Sequence, residues 1–478
     1  MVARGETARL ERSIRRRLRW HLREIGLARQ REANIPPSMQ EKTALRAMHQ
    51  KSRSEHLKEE RSFIREALPR LKQFFASGVE ISPEAISAGL QLVEAGTQEA
   101  DLFRLASLTW GVRVSAGYGR RLRFLVWDRS HARLMGLIGL ADPVFNLRTR
   151  DQAIGWSPRD RKDRLVDVMN AYVLGAIPPY NLLLGGKVVS CLVRTREVRD
   201  AFASKYRESR GIISGRRKHA SLALVTTSSS LGPSAVYDRL TLDGVRYFEP
   251  VGFTAGWGHF HVPNLLFEDM RSYLRLRHHP YAGGHAFGEG SNWRLRASRA
   301  TLELIGMDPD LLNHGVKREV FLSRIASNAD RFLRGETAHL VYRGLLSASE
   351  VSQLAVDRWV VNRAATRKDY LAWSSSQIAE LLDYRRSGLE SLPSAKLAKK
   401  GASVALASPS PRSALSPRGA VGYRSHIPKP VAAPRIAEFP LVEMRARRPV
   451  QRAHRSLPSG GRAQGLARPR GVENDDDR

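Results

Sequence analysis

Two apolar segments follow one another in the first third of the chain, RLRFLVW at residues 121–127 and LMGLIGL at residues 134–140. Both have the aliphatic and aromatic residues that favour strands, and residues 128–133 between them are typical of a turn. The pair predicts a β-hairpin. Strand and helix patterns alternate after it, which is typical of a sheet with some parallel strands. We therefore expect an α/β or α+β core at residues 112–262, with a mixed central sheet and flanking helices.

The alternation also predicts individual elements. Ser157 and Pro158 resemble the start of a helix, and an apolar stripe at residues 165–173 follows at helical spacing. We expect Val189 and Cys191 to point into the core from a strand. The predicted strands are residues 187–193, 220–227 and 246–254, and the predicted helices between them are residues 197–208 and 234–240.

The regions on both sides of this core are predicted to be helical. In the N-terminal region, residues 1–68, Leu10, Ile14, Leu18 and Leu22 recur every three or four residues and arginines fill the other faces. This region is either a helical hairpin packed on the core or a basic arm that faces nucleic acid. Residues 69–111 are expected to be a helical lead-in, and residues 263–388 a mainly helical region with helices from 298 to about 381.

The C-terminal segment differs in composition from the rest. From residue 391 onward it holds 11 of the 24 prolines, with 17 lysines and arginines against 6 acidic residues. Such a segment buries too little apolar surface to offset the entropy of ordering it. We expect residues 389–478 to be a disordered basic tail that is dispensable for folding and adds only salt-sensitive attraction to polyanions.

The charge of the whole chain limits its partners. Its 478 residues include 79 lysines and arginines against 47 acidic residues, a formal net charge of +32. A balance this basic favours polyanions, and nucleic acid is the first candidate partner.

The single cysteine, Cys191, excludes a disulfide framework and a cysteine-rich zinc module. With no secretory signal and no apolar run of about 20 residues, we expect a cytoplasmic protein that makes no membrane contact.

Several motifs in a fixed order resemble the DruA family, the signature proteins of Druantia anti-phage systems. The most specific are YGRRLRFL at 118–125, DPVFNL at 142–147, NAYVLGAIPPY at 170–180, GWGHFH at 256–261 and NWR at 292–294. The likeness covers about residues 1–385. It implies a role in phage defence beside other subunits of such a system, or an accessory role in a mobile element, and it supplies no reaction.

The element order also resembles an N-acetyltransferase core of the GNAT type. In that fold two central strands splay apart around acyl-CoA, whose pyrophosphate lies on the helix after the fourth strand. We match that helix start to residues 194–199, which have no glycine; Arg194, Arg196 and Arg199 could hold phosphates with their side chains instead. An enzyme acting on an acyl donor, a nucleotide or a nucleic acid therefore remains an alternative. No catalytic residue is assigned and no cofactor is expected.

The candidate binding residues offer cations, hydroxyls, imidazoles or rings to phosphates and bases, close to predicted strand ends. Buried aromatics beside surface arginines, and hydroxyls that only cap a helix, would give the same pattern. His259 and His261 could form a metal pair, but no carboxylate has suitable spacing, so we expect no metal. We expect most of the candidates to border one groove: Arg120, Arg121, Trp156, Arg194, Arg196, Arg199, Thr227, Ser228, Tyr237, Arg239, His259, His261, Trp293 and Arg294.

Overall fold

The computed structural model describes most of the chain up to residue 386. The described residues are 2–24, 42–114, 119–210, 217–230, 234, 236–256, 259, 261–283, 291–313 and 315–386. They all belong to one compact unit, Met1–Ala405. The predicted tail at residues 389–478 lies outside the described residues, as does Tyr118.

A mixed sheet of seven strands forms the centre of the molecule. Its spatial order is β1-β2-β3-β4-β5-β7-β6, and every neighbouring pair is antiparallel except the parallel pair β4–β5. The strands are β1 Ala88–Leu92, β2 Arg121–Asp128, β3 Arg133–Ala141, β4 Val168–Ala176, β5 Leu224–Ser228, β6 Glu249–Phe253 and β7 Glu319–Arg324.

Helices cover both faces of this sheet, so the central strands are buried on both sides. Leu122 and Phe124 of β2 belong to one apolar cluster, whereas Leu125 belongs to another on the opposite face. The helices are α1 Val2–Glu24, α2 Lys42–Glu59, α3 Arg61–Leu71, α4 Gln98–Ser107, α5 Arg148–Ile154, α6 Pro158–Arg164, α7 Gly185–Cys191, α8 Arg196–Tyr206, α9 Asn264–Leu276, α10 Ser291–Leu304, α11 Ala329–Leu333, α12 Ala348–Ala355, α13 Asn362–Thr366 and α14 Ile378–Leu381.

The predicted hairpin is confirmed as β2 and β3. The two strands pair from Arg121 opposite Ala141 to Asp128 opposite Arg133, with a bulge after Val126. Residues 129–132 form the turn. Because β3 is buried along almost its whole length, its apolar residues are continuous rather than alternating.

The strand predicted at residues 187–193 is wrong. These residues lie in and just after the short helix α7, although Val189 and Cys191 are fully buried as expected. A short apolar run that is buried on all sides carries no period that separates a strand from a helix. Residues 185–191 therefore form a helix that packs against β3 and β4, although valines favour strands.

The helix predicted at residues 165–173 is also wrong. The start signal is confirmed, since Ser157 and Asp160 form a capping box, but helix α6 ends at Arg164. Residues 168–176 form strand β4 in the middle of the sheet. Because both of its faces are buried, its apolar residues do not alternate and resemble a helical stripe.

Two further strands lie in regions that were predicted to be helical, β1 within 69–111 and β7 within 298–381. Strand β7 inserts between β5 and β6, so the sheet draws on residues well outside 112–262. The short helix predicted at 234–240 is not formed, because residues 236–239 are a turn. In the second half of the chain, α9 lies within residues 263–388, the region predicted to be mainly helical.

A second apolar core lies where α1 meets α9 and α10. Ile14, Leu18 and Leu22 are buried there with Met270 and Ala297. The amphipathic character predicted for the N-terminal helix is therefore confirmed, and α1 presents its opposite face to solvent. None of the helices in the described part of the chain combines the length and apolar character that a bilayer crossing requires.

Candidate nucleic-acid interface

The solvent face of α1 carries a row of arginines. Arg12, Arg16, Arg19 and Arg23 recur at spacings of three or four residues, so they share one side of the helix, and all four are exposed. With Arg15 and Trp20 they line a shallow groove of about 500 Å³. We call Arg12, Arg16, Arg19, Arg23 and Trp20 the α1 arginine face.

The four arginines of this face differ from their neighbours in having no carboxylate partner. Arg15 pairs with Glu11 at 2.9 Å, and Arg17 pairs with Asp269 of α9 at 3.1 Å. Within the described residues, Arg12, Arg16, Arg19 and Arg23 make no hydrogen bond or ion pair. Their guanidinium groups are therefore available to bind an anion from solution without breaking an internal contact.

Trp20 lies exposed among these cations. Its side chain is 56% exposed, although tryptophan is highly buried on average. The ammonium of Lys51, on α2, lies 4.5 Å from the centre of its ring. A ring held in this way offers a stacking surface to a base, while the surrounding guanidinium groups attract phosphates.

Most of the arginines predicted from sequence bind the protein's own backbone or carboxylates. The half-buried Arg120 donates to the Val166 carbonyl at 2.7 Å and pairs with Asp142 at 2.7 Å. Arg194 is buried and donates to the Arg324 carbonyl at 2.9 Å. Arg196 donates to the Leu345 carbonyl at 2.8 Å. Each of these three guanidinium groups therefore has at least one donor engaged with another segment of the protein.

Three more of the predicted residues, Arg199, Trp156 and Arg239, also contact groups within the protein. Arg199 donates both of its contacting nitrogens to Asp200. Trp156 is buried, and its indole nitrogen donates to the Leu333 carbonyl at 2.6 Å. Arg239, which is exposed, lies 3.4 Å from Asp238. Arg121 is exposed at the start of β2.

The predicted hydroxyl residues meet where β4 and β5 separate. The buried Thr227 donates to the Ala171 carbonyl at 3.1 Å, and Ser228 is the last residue of β5. The Tyr237 hydroxyl donates to the Leu174 carbonyl at 3.0 Å, and its ring packs on Phe248 and Phe321. Burial raises the pKa of Tyr237 to about 12. The phenol is therefore neutral and serves as a structural donor.

The remaining predicted residues lie near the second apolar core, where α1 meets α9 and α10. They are His259, His261, Trp293 and Arg294. His261 contacts the Glu55 carboxylate at 2.7 Å, and His259 forms a bridge with Asn313. Arg294 donates to Asn264 at 2.8 Å, and the buried Trp293 donates to the Tyr281 carbonyl at 2.9 Å. In the described part of the chain, no cluster of three or more His, Cys, Asp or Glu side chains could hold a metal ion.

The predicted residues therefore occupy several separate places. Thr227, Ser228 and Tyr237 come together at one end of the sheet, and His261, Trp293 and Arg294 come together beside α9 and α10. The α1 arginine face was absent from the predicted site residues. Its signal was present in the sequence as arginines at helical spacing opposite an apolar stripe, with a tryptophan on the polar side.

Comparison with known proteins identifies the family. The family model described as Druantia protein DruA matches residues 39–335, a range that contains all seven strands of the sheet. A curated relative, the Druantia protein DruA of Escherichia coli (strain UMEA 4076-1), is 44% identical over 389 residues, which cover 81% of this chain and 96% of that protein. No solved structure matches the chain. The likeness suggested by the sequence motifs is confirmed, and the chain belongs to the DruA family.

Proposed function

We propose that this protein is a component of a Druantia anti-phage system and that it engages nucleic acid through the α1 arginine face. Membership of the DruA family supports the first part. The single observation that supports the second part is the row Arg12, Arg16, Arg19 and Arg23, which is exposed and has no internal partner among the described residues. A net charge of +32 would favour the encounter with any nucleic acid.

The dimensions of the face suit a nucleic-acid backbone. At about 1.5 Å per residue, the row from Arg12 to Arg23 extends about 16 Å, or roughly five base pairs of duplex. Each phosphate that an arginine neutralises releases condensed counterions, so binding would weaken steeply as salt rises. These contacts carry no base sequence information, and we propose that recognition by this face is largely independent of sequence.

Among the residues predicted from sequence, Arg121, Arg196, Ser228 and Arg239 remain proposed secondary contacts, since none of them is buried. The other predicted arginines are proposed to act on binding only indirectly, by holding the loops around the sheet. Other Druantia subunits remain proposed partners, and cytoplasmic location remains a proposal.

A second candidate function is an enzyme with a GNAT-like site, and the splay of β4 from β5 favours it. The two strands pair only from Val168 opposite Leu224 to Ala171 opposite Thr227, and β4 then continues alone beside β3. The helix after β4 begins at Gly185 and Gly186, so the glycines sought at residues 194–199 lie earlier in the chain. Tyr237, however, donates to Leu174 beyond the last paired position, and acyl-CoA could enter only if that ring moved.

Titration calorimetry with acetyl-CoA separates the two candidates. We expect no heat of binding with the wild-type protein because Tyr237 fills the gap between the strands. Saturable binding that is abolished in a Val189→Trp variant, in which a larger side chain on α7 faces β3, would favour the enzyme instead.

The direct test of nucleic-acid engagement compares two variants that lose the same charge. The first changes Arg12, Arg16, Arg19 and Arg23 to glutamine. The control changes four exposed arginines that already have carboxylate partners, namely Arg70, Arg331, Arg385 and Arg386. Fluorescence anisotropy with duplex DNA, single-stranded DNA and single-stranded RNA should show at least about tenfold weaker binding for the first variant only. Equal affinity of both variants would remove the α1 arginine face from the proposal.

A further inference from the structure

A carboxylate and an imidazole meet beside helix α1. His261, which lies just before α9, directs its Nε2 at Glu55 of α2, and the distance from Nε2 to the Glu55 carboxylate is 2.7 Å. The backbone nitrogen of Asn264 donates to the same carboxylate oxygen at 3.3 Å. The hydrogen bond to Glu55 holds the His261 ring in one orientation and decides which of its nitrogens carries the proton.

The charge of Glu55 fixes the tautomer of His261. Burial alone would raise the pKa of the Glu55 carboxyl, but the contact with His261, the Asn264 N–H and the charge of Lys51 outweigh burial and hold that pKa below its usual range. An ionised carboxylate can only accept a hydrogen bond, so His261 carries its proton on Nε2. The ring nitrogen Nδ1 then keeps its lone pair, which is the form of imidazole that can accept a proton.

The Nδ1 atom of His261 is available to a bound molecule. Among the described residues it makes no hydrogen bond, and 18% of the His261 side chain is exposed. In the similar pair of His131 and Asp128 both ring nitrogens are used. There Nδ1 contacts Asp128 at 2.6 Å and Nε2 accepts from the Ser82 nitrogen at 3.0 Å. The His131 pair therefore serves the fold, whereas the Glu55–His261 pair leaves one nitrogen able to take a proton from another molecule.

A closed chain of contacts places this pair next to the α1 arginine face. On one side, His21 of α1 donates from Nε2 to the His261 carbonyl at 3.0 Å. On the other side, Lys51 lies one turn before Glu55 on α2, and its ammonium lies 4.5 Å from the centre of the Trp20 ring. Since Trp20 directly precedes His21, a base stacked on the Trp20 ring would have its ribose and phosphates close to the pair.

We propose that His261 is the general base of an RNA-cleaving site, positioned by Glu55 and supplied with single-stranded RNA by the α1 arginine face. Nδ1 takes the proton of a ribose 2′-hydroxyl, O2′ forms a bond to the adjacent phosphorus, and the bond from that phosphorus to O5′ of the next nucleotide breaks. The products are a 2′,3′-cyclic phosphate and a 5′-hydroxyl, whose oxygen takes a proton from the solvent to which His261 returns its own. The inference rests on the proposed nucleic-acid function, since RNA must first bind to the face.

Incubation of the full chain with a 5′-labelled single-stranded RNA, and with DNA of the same sequence, tests this site. We expect cleavage of the RNA alone, with a 2′,3′-cyclic phosphate on the labelled fragment, because DNA has no 2′-hydroxyl. His261→Ala should lower the cleavage rate about 100-fold or more, while RNA affinity measured by anisotropy stays within about twofold of wild type. Added imidazole should restore part of the rate in this variant, which would not happen if His261 were only structural.

The matched control is His339→Ala, which removes an exposed histidine outside the pair and should cleave RNA at the wild-type rate. Cleavage that persists unchanged in His261→Ala would indicate a contaminating ribonuclease and overturn the proposal. RNA that binds to the wild-type protein and stays intact would also overturn it, while leaving the proposed nucleic-acid function in place. Absence of RNA binding in the anisotropy measurement would instead count against that function itself.

A second variant keeps the proposal testable if His261→Ala does not fold. In Glu55→Gln the side chain keeps its size, but its amide can donate to Nε2 and shift the ring proton of His261 to Nδ1. We expect the cleavage rate to fall about tenfold or more with RNA affinity nearly unchanged, because Nδ1 can then no longer take a proton. A rate equal to that of wild type would contradict the positioning role of Glu55.

Discussion

Arginines around the sheet and arginines on α1 have the same chemistry but different surroundings. Arg150 is fully buried and donates to the carbonyls of Val144 and Phe145 and to Asp151, and Arg194 donates to the Arg324 carbonyl. Arg12 and Arg16, by contrast, have no partner among the described residues. The guanidinium groups near the sheet thus stabilise the fold, whereas those on α1 are available to bind an anion from solution.

The difference follows from the backbone on which each arginine lies. Loops that leave a sheet have carbonyls without a strand partner, and a nearby guanidinium satisfies several of them at once. In the middle of a long helix the backbone hydrogen bonds are already made, so an outward arginine contacts only solvent. In this protein an arginine near a strand end is therefore weak evidence of a binding site, and a row of arginines on a helix face is stronger evidence.

The largest effect should come from breaking a structural arginine. In Arg150→Ala, the carbonyls of Val144 and Phe145 lose the guanidinium donor, and the buried Asp151 carboxylate loses Arg150 and retains its contact with Arg161. We expect the free energy of unfolding to fall by about 3–5 kcal/mol. Urea unfolding measures this decrease, and Arg12→Ala, the matched control on α1, should stay within about 0.5 kcal/mol of wild type. Similar decreases in both variants would remove the distinction between the two regions.

A pH titration of stability tests whether the arginines near Asp167 leave the carboxyl group of this residue without an ion-pair partner. Burial raises the pKa of Asp167 to about 6, although Arg164 and Arg120 lower it. The folded state thus keeps a proton that the unfolded chain, with a pKa near 3.8, loses, and stability should fall as pH rises from about 4 to 6.

The matched variant for this titration is Asp167→Asn. The stability difference between wild type and variant should shrink by roughly 1–3 kcal/mol between pH 4 and pH 6.5, since one pKa unit corresponds to about 1.4 kcal/mol. Urea unfolding at each pH provides the values. A difference that stays constant would mean that Asp167 is ionised throughout and is paired with the arginines beside it.

A smaller effect is expected on the α1 side from removing the ring of Trp20. In Trp20→Ala, binding to single-stranded nucleic acid should weaken by about 1–2 kcal/mol, and binding to duplex should change less because its bases are already stacked. Stability should be nearly unchanged, since Trp20 is 56% exposed. Anisotropy titrations with both strand forms measure the difference, and equal weakening would indicate that Trp20 acts only by shaping the helix surface.

The sequence predicted the elements whose signals are local. The hairpin of β2 and β3, the amphipathic helix α1 and the capping box at Ser157 all follow from patterns within a few residues. It did not predict β4 or α7. Both are packed between other elements, so their apolar residues show neither the two-residue alternation of a strand nor the 3.6-residue spacing of a helix. Strand β7 was missed because its place between β5 and β6 depends on residues far apart in the chain.

The site was harder to predict than the fold for a related reason. Arg194 and Arg12 look alike in the sequence, and only the position of the Arg324 carbonyl, which is set by the tertiary fold, shows that Arg194 is already bonded. The tryptophan on the polar side of α1 was the available local signal.

The salt dependence of DNA binding tests the central claim most directly. The slope of log affinity against log salt concentration should be lower by about 2–4 units when Arg12, Arg16, Arg19 and Arg23 are changed to glutamine, since each duplex phosphate that an arginine neutralises adds about 0.9 to the slope. The control with Arg70, Arg331, Arg385 and Arg386 changed should lower the slope by less than about 1 unit, because these arginines are held by carboxylates. Equal slopes for wild type and the α1 variant would contradict the account.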